Sequence, residues 1–238
     1  MHSLFFDIGW GLAAIAVVGA AYTMLAAALV GRFMQSAENA AAHSPAVTIL
    51  KPLHQGEPDL SRNLETFFAQ DYDGAVQILF GVHDENDPAI AVVRALQARY
   101  PHLDTTVVVD TALYGANAKV SNLINMLPAA RHDTLVLSDS DIAVGHRWLS
   151  QVTAALARPG VGIVTCFYTG EPAKDGHKLW SSLAAMSTSY TFLPNAVLGT
   201  SLGLAAPCFG STIALKRQTL DEVGGFAAFA DQLADDYE

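Results

Sequence analysis

Hydrophobic positions along the chain fall into two regimes. From Ile8 to Val30 the run IGWGLAAIAVVGAAYTMLAAALV carries no charged residue. At about 1.5 Å per residue a helix over it is about 35 Å long, slightly more than a bilayer's hydrocarbon core. The pattern predicts a transmembrane anchor within residues 1–30. A cleaved signal peptide competes with it, because NAAAHS near Ala42 offers small residues, but the apolar run exceeds the roughly 7 to 15 residues of a signal core and no Lys or Arg precedes it. Asp7 before the run and Arg32 after it place the C-terminal side in the cytoplasm by the positive-inside rule.

Residues 31–46 are small and polar and read as a juxtamembrane linker. From Val47 onward, short β-branched runs alternate with helical periodicity. VTIL at 47, VQILFGV at 76, TTVVVD at 105, TLVLSD at 134 and VGIVTCF at 161 are strand candidates. Between them, Leu60, Leu64, Phe67 and Phe68 share a helical face, Asp87 and Pro88 open a helix, and 119–127 and 147–156 are two more helix candidates. Single helices between doubly buried strands predict an α/β domain over 47–238, a Rossmann-like, mostly parallel sheet sandwiched by helices.

Charge narrows the function. Thirteen Lys and Arg against 23 Asp and Glu, for a net charge of -10, leave no basic surface for a nucleic-acid backbone, so nucleic acid is excluded as a partner. Cys166 and Cys208 have neither zinc nor disulfide-framework spacing and read as buried thiols. No strand-to-helix turn carries G-x-G-x-x-G or a P-loop, which removes dinucleotide oxidoreductases and P-loop enzymes.

The acidic residues fall at strand ends, where open α/β sheets bind ligands. Asp84 follows VQILFGVH, and Asp139 and Asp141 follow TLVLS. Residues i and i+2 of an extended segment point the same way, so Asp139 and Asp141 suit one hard cation, Mg2+ or Mn2+, whose remaining positions phosphate oxygens fill. Capping of a turn by Asp139 and of the next helix by Asp141 is the alternative, and Asp84 in HDENDPA has the same one. Lys119 and Asn122 in GANAKVSNL are candidates for the nucleotide or diphosphate, with helix-surface solvation as the alternative. Gly210 and Ser211 in CFGST precede a strand and allow close backbone approach to a donor sugar, or form a simple turn. Trp148, Trp180 and YTFLP from Tyr190 read as core or membrane-facing.

In order, VTILKPLHQGEPDLSRNLETFFAQDY, GVHDENDPAIAVV, GANAKVSNL, SDSDI, GSTIALKRQTLDEVGGFAAFA and ADDYE resemble the ceramide glucosyltransferase family and its bacterial relatives in hopanoid lipid biosynthesis. The resemblance covers about 47–238, and the N-terminal anchor matches as well. It implies a GT-A nucleotide-sugar-binding fold at the cytoplasmic face of a membrane, the bacterial inner membrane for the hopanoid relatives. It implies inverting transfer of a sugar from a UDP-sugar donor to a membrane lipid acceptor. Asp84 then corresponds to the family's first aspartate near the nucleotide, Asp139 to the second beside metal and diphosphate, and Asp236 to the third, the general base. Asp141 completes a D-x-D where some relatives have glycine. The family continues into a Q/R-x-x-R-W motif that this chain, ending at Glu238, does not contain, so the chain reads as C-terminally truncated; a nucleotide-sugar-binding module without turnover is the competing expectation.

Overall fold

The computed structural model describes residues 2–38, 44–57, 59–173 and 178–232. Among the described residues, six strands form one sheet: β1 (Val47–Pro52), β2 (Val76–Val82), β3 (Asp104–Val109), β4 (Thr134–Ser138), β5 (Ile163–Thr165) and β6 (Thr212–Lys216). The order across the sheet is β3-β2-β1-β4-β6-β5. The first five strands fall on the five predicted runs.

Side-chain alternation along the strands builds two cores. Val47, Ile49, Ile78, Phe80, Val82 and Val136 face one layer, in which α2 (Leu60–Phe68), α3 (Ala89–Arg99) and α5 (Trp148–Leu156) bury Leu64, Phe67, Val93 and Leu149. Leu50, Leu79, Leu135 and Leu137 face the other, where α4 (Ala118–Met126) and α8 (Arg217–Glu222) supply Val120, Leu123, Met126 and Leu220. The predicted sandwich is therefore present.

The sheet is mostly parallel, as predicted, with one strand reversed. β3, β2, β1 and β4 are parallel, but β6 inserts antiparallel between β4 and β5. The chain re-enters the sheet beside the carboxyl end of β4, pairing Thr212 with Ser138, and so must run the opposite way. No period in the sequence reports the direction of re-entry.

A second compact unit comprises the N-terminal helix, Phe167–Pro172 and Leu179–Pro207. Its α1 (His2–Glu38) contains an apolar stretch, Phe6–Gln35, of mean hydropathy 2.1 that is long enough to cross a membrane. The helix continues through 31–38, half of the segment expected to be a linker. Within the unit, α6 (Lys178–Ser187), a π turn (Thr188–Phe192) and α7 (Leu193–Ser201) follow one another, and α7 packs on α1. The Tyr22 hydroxyl donates to Asn195 Oδ1, Phe33 meets Phe167 edge-on at 4.9 Å, and Tyr168 stacks on Phe192 at 4.9 Å.

Candidate active site

The chain runs from β1 outward through β2 to β3, then returns to the other side of β1 as β4. The carboxyl ends of β1 and β4 thus flank the switch point of the sheet, the usual ligand crevice of open α/β folds. Lys51 lies at the end of β1, and Ser138 and Asp139 lie at the end of β4.

Lys51 is wholly buried, which is unusual for a side chain whose charge water solvates well. Its ammonium donates to the Asp139 carbonyl, lies 3.4 Å from Ser138 Oγ and sits 3.8 Å from the centroid of the Phe67 ring. Burial pulls its pKa down to about 7, against the opposing pull of the nearby Asp139, Asp141 and Glu57 carboxylates. Both aspartates of the D-x-D therefore act on one cation.

The strand does not carry the two aspartates, as the i and i+2 argument required. β4 ends at Ser138, and the Ile142 N–H donates to the Asp139 carbonyl at 3.3 Å, closing a turn. Asp139 is half-buried and Asp141 exposed; the Asp141 carbonyl accepts from Asn63 Nδ2 at 3.2 Å, which ties the turn to α2. The next helix, α5, starts after Arg147 and not after Asp141, and the Asp139 carboxylate faces a cation: Lys119 Nζ is 2.7 Å from Asp139 Oδ1.

Lys119 occupies the first turn of α4, which Asn117 caps by accepting from Val120 N at 3.1 Å. Asn122 does not lie on the helix surface: it is buried, and its Nδ2 donates to Gly81 O at 2.9 Å while its Oδ1 has no hydrogen-bond partner among the described residues. Gly81 permits this approach, since a Cβ there would come within 2.2 Å of Asn122 Oδ1. Asn122 thus seats α4 on β2 and places Lys119 over the crevice. His83 assists from the other side, its ring nitrogens 3.0 Å from Asp110 O and 2.8 Å from Ala118 O.

Ser211 immediately precedes β6, and its carbonyl accepts from Asp139 N at 3.2 Å, so Gly210 and Ser211 reach the same strand end. Asp84 lies exposed beyond β2, two strands and roughly 10 Å from β4 by ordinary strand spacing. Its Oδ1 accepts from Asn86 N at 2.8 Å and Asn86 Nδ2 at 3.2 Å, the side-chain turn expected of HDEN. Asp236 lies outside the described residues. The segment leading toward it is anchored next to α4: Asn117 N donates to Ala230 O at 2.9 Å, Asn117 Nδ2 to Gln232 O at 2.7 Å and Ala116 N to Asp231 Oδ1 at 3.2 Å.

Lys51 is the site residue that sequence reasoning passed over. Its signal was a lysine inside the otherwise apolar VTILKPL, a placement whose burial cost demands a partner. A cavity of about 410 Å3, lined by Phe68, Tyr72, Val76, Leu103 and His132 among others, opens instead at the amino ends of the strands, away from these groups. Among the described residues, no three His, Cys, Asp or Glu side chains group as a metal cage. Two carboxylates are nevertheless the donor set expected for Mg2+ or Mn2+, which keeps water and phosphate oxygens as its other ligands. Cys166 packs against the core, where burial pushes its thiol up to about 11.

Comparison with known proteins gives the family and the fold. The chain is 30% identical over 194 residues to ceramide glucosyltransferase 1 of Caenorhabditis elegans, covering 81% of this chain and 41% of that protein. It is 35% identical over 116 residues to ceramide glucosyltransferase of Komagataella phaffii, covering 47% of this chain and 23% of that one. The chain thus spans about two fifths or less of the curated relatives it matches. The solved structure of mannosyltransferase PcManGT from Pyrobaculum calidifontis, in complex with GDP-Man and Mn2+, shares the GT-A fold at a TM-score of 0.56 and 23% identity, over 86% of this chain and 59% of that one. The family described as Glycosyl transferase family 21 matches residues 11–238, and the chain belongs to it.

Proposed function

We propose that the chain forms the donor-binding part of a membrane-anchored, inverting hexosyltransferase that moves a sugar from a UDP-sugar to the hydroxyl of a membrane lipid, ceramide-like or hopanoid-like. The observation that carries this reading is the Lys119–Asp139 pair beside Asp141 at the switch point of the sheet. In a chain of net charge -10, a diphosphate needs local positive charge to bind. The names of its relatives supply the glucosyl group and the ceramide.

Asp139 and Asp141 are the residues that would hold Mg2+ or Mn2+, and the ion would supply positive charge to the departing diphosphate. Lys119 lies where its ammonium can exchange the Asp139 carboxylate for a phosphate oxygen, and Lys51 keeps the turn beneath from drifting. Asp84, two strands away, would meet the nucleoside. The acceptor hydroxyl needs a base, and Asp236 takes that role: its carboxylate receives the proton as the lipid oxygen attacks the anomeric carbon from the face opposite UDP. A single displacement of this kind inverts the configuration, with no covalent enzyme intermediate. Gln232, tied to Asn117, precedes Asp236 by four residues, a reach of at most about 14 Å.

Calorimetric titration of the detergent-solubilised chain with UDP, with and without Mn2+, tests the donor site. Binding that needs Mn2+ and is lost in Asp139→Ala is expected, with Asp84→Ala weakening UDP but keeping the metal dependence. Parent-like binding by both variants would sink the assignment. In membranes carrying the protein, Asp236→Asn is expected to bind UDP and lose turnover; binding without product from any lipid by the parent would leave a nucleotide-sugar-binding module.

A further inference from the structure

A second apolar surface lies outside α1. From Leu179 to Leu215 the chain contains no Asp, Glu, Lys or Arg. In α6 and the π turn, Leu179, Leu183, Met186 and Tyr190 recur at helical spacing on one side and are all exposed, Tyr190 at 76%. Trp180 flanks them at 69%, and Leu204, beyond α7, is exposed as well. The opposite side is the packed one: Ala185 touches the backbone at Gly170 so closely that a Cβ on Gly170 would come within 2.5 Å of its Cα, and Gly170 N donates to Ser189 Oγ at 3.1 Å.

We propose that this face of α6 and the π turn lies in the lipid–water interface of the membrane that α1 crosses. The occupant follows from continuity. α6, the π turn and α7 belong to one compact unit with α1, and α7 packs directly on it. α1 itself exposes Ile8, Trp10, Leu12, Ile15, Val17, Val18 and Met24, a girdle that only an apolar medium satisfies. Ser, Thr and Asn interrupt 178–201 too often for a second span, and they suit a segment resting at the headgroup level. Trp180 and Tyr190 are the amphipathic rings that favour that depth. The inference depends on α1 being in the bilayer and is independent of the donor-site chemistry.

The test uses the whole chain, with Cys166 and Cys208 replaced by Ser, reconstituted in phosphatidylcholine–phosphatidylglycerol vesicles. A polarity-sensitive fluorophore is placed at Leu183→Cys, Tyr190→Cys or, as an exposed control on α3, Ala98→Cys. Brominated lipid is expected to quench positions 183 and 190 several-fold more than 98, and aqueous iodide to do the reverse. Equal iodide quenching at all three positions would mean that the face is in water. Protection of 183 and 190 from both quenchers would mean that protein covers it, and either result overturns the proposal. An arm with native cysteines guards against misfolding: the parent should lose more tryptophan emission to brominated lipid than Trp180→Phe, and equal losses would count against the interface.

Discussion

At the scale of single residues, the site is a small array of opposed charges whose members depend on one another. Asp139 holds Lys119 through its carboxylate and Lys51 through its carbonyl. Asp139→Ala removes a ligand candidate and the carboxylate that pairs with Lys119 at once, so Mn2+-dependent UDP affinity is expected to fall at least about tenfold, by calorimetry. Asp141→Ala should cost less, because its side chain is exposed. Lys51 makes a separate prediction about pH. Its folded pKa of about 7 lies below the ordinary lysine value of 10.5, so between those values the unfolded chain holds a proton that the folded one has released. Stability contributed by this group is therefore lowest below pH 7 and rises with pH above it, with a slope approaching about 1.4 kcal/mol per pH unit. Urea denaturation of metal-free protein from pH 6 to 9 should show the rise, and Lys51→Met should flatten it. An unchanged slope in the variant would assign the pH dependence to other groups.

At the scale of elements, α4 is the part on which the site turns, because it carries Lys119 and the residues just before it hold Ala230, Asp231 and Gln232. Gly115, just before it, lies against that segment: a Cβ there would sit 2.3 Å from the Ala230 carbonyl oxygen, a backbone atom with little freedom to yield. Gly115→Ala is expected to cost about 1–3 kcal/mol of stability and to raise amide exchange at Ala116 and Asn117. UDP affinity should change less than turnover, since Lys119 pairs with Asp139 and not with the 230–232 segment. Parent-like exchange would show that the segment is not held there. The sequence placed this helix correctly within a residue, and Asn117 is the cap that starts it. It did not show that Asn122 faces inward, because a polar residue within a helix reads as surface until its partner, here Gly81 O, is brought alongside.

At the scale of the whole molecule, α1 is expected to keep the protein in the membrane fraction through alkaline carbonate washing, with release by detergent. Intact mass should include Met1 or Ser3-proximal residues rather than begin near Ala42. Carbonate release, or a mature N-terminus near Ala42, would favour the signal-peptide reading. Trp148 and Trp180 show why burial needed the fold. Sequence pattern gives both the same expectation, core or membrane-facing, yet Trp148 packs edge-on against Phe67 at 5.2 Å whereas Trp180 stands exposed on α6.

Local pattern was sufficient for the five strands from β1 to β5, the helices α2 to α5, the apolar N-terminal helix and the acidic strand ends, because a period of two or 3.6 is written into neighbouring residues. Ordered motifs were sufficient for the family. Tertiary structure alone decided the antiparallel insertion of β6, the turn that takes Asp141 off the strand, the pairing of Lys119 with Asp139 and the burial of Lys51 between them and Phe67. Each of these depends on groups far apart in the chain, and the energy of a charge is set by what surrounds it rather than by what precedes it.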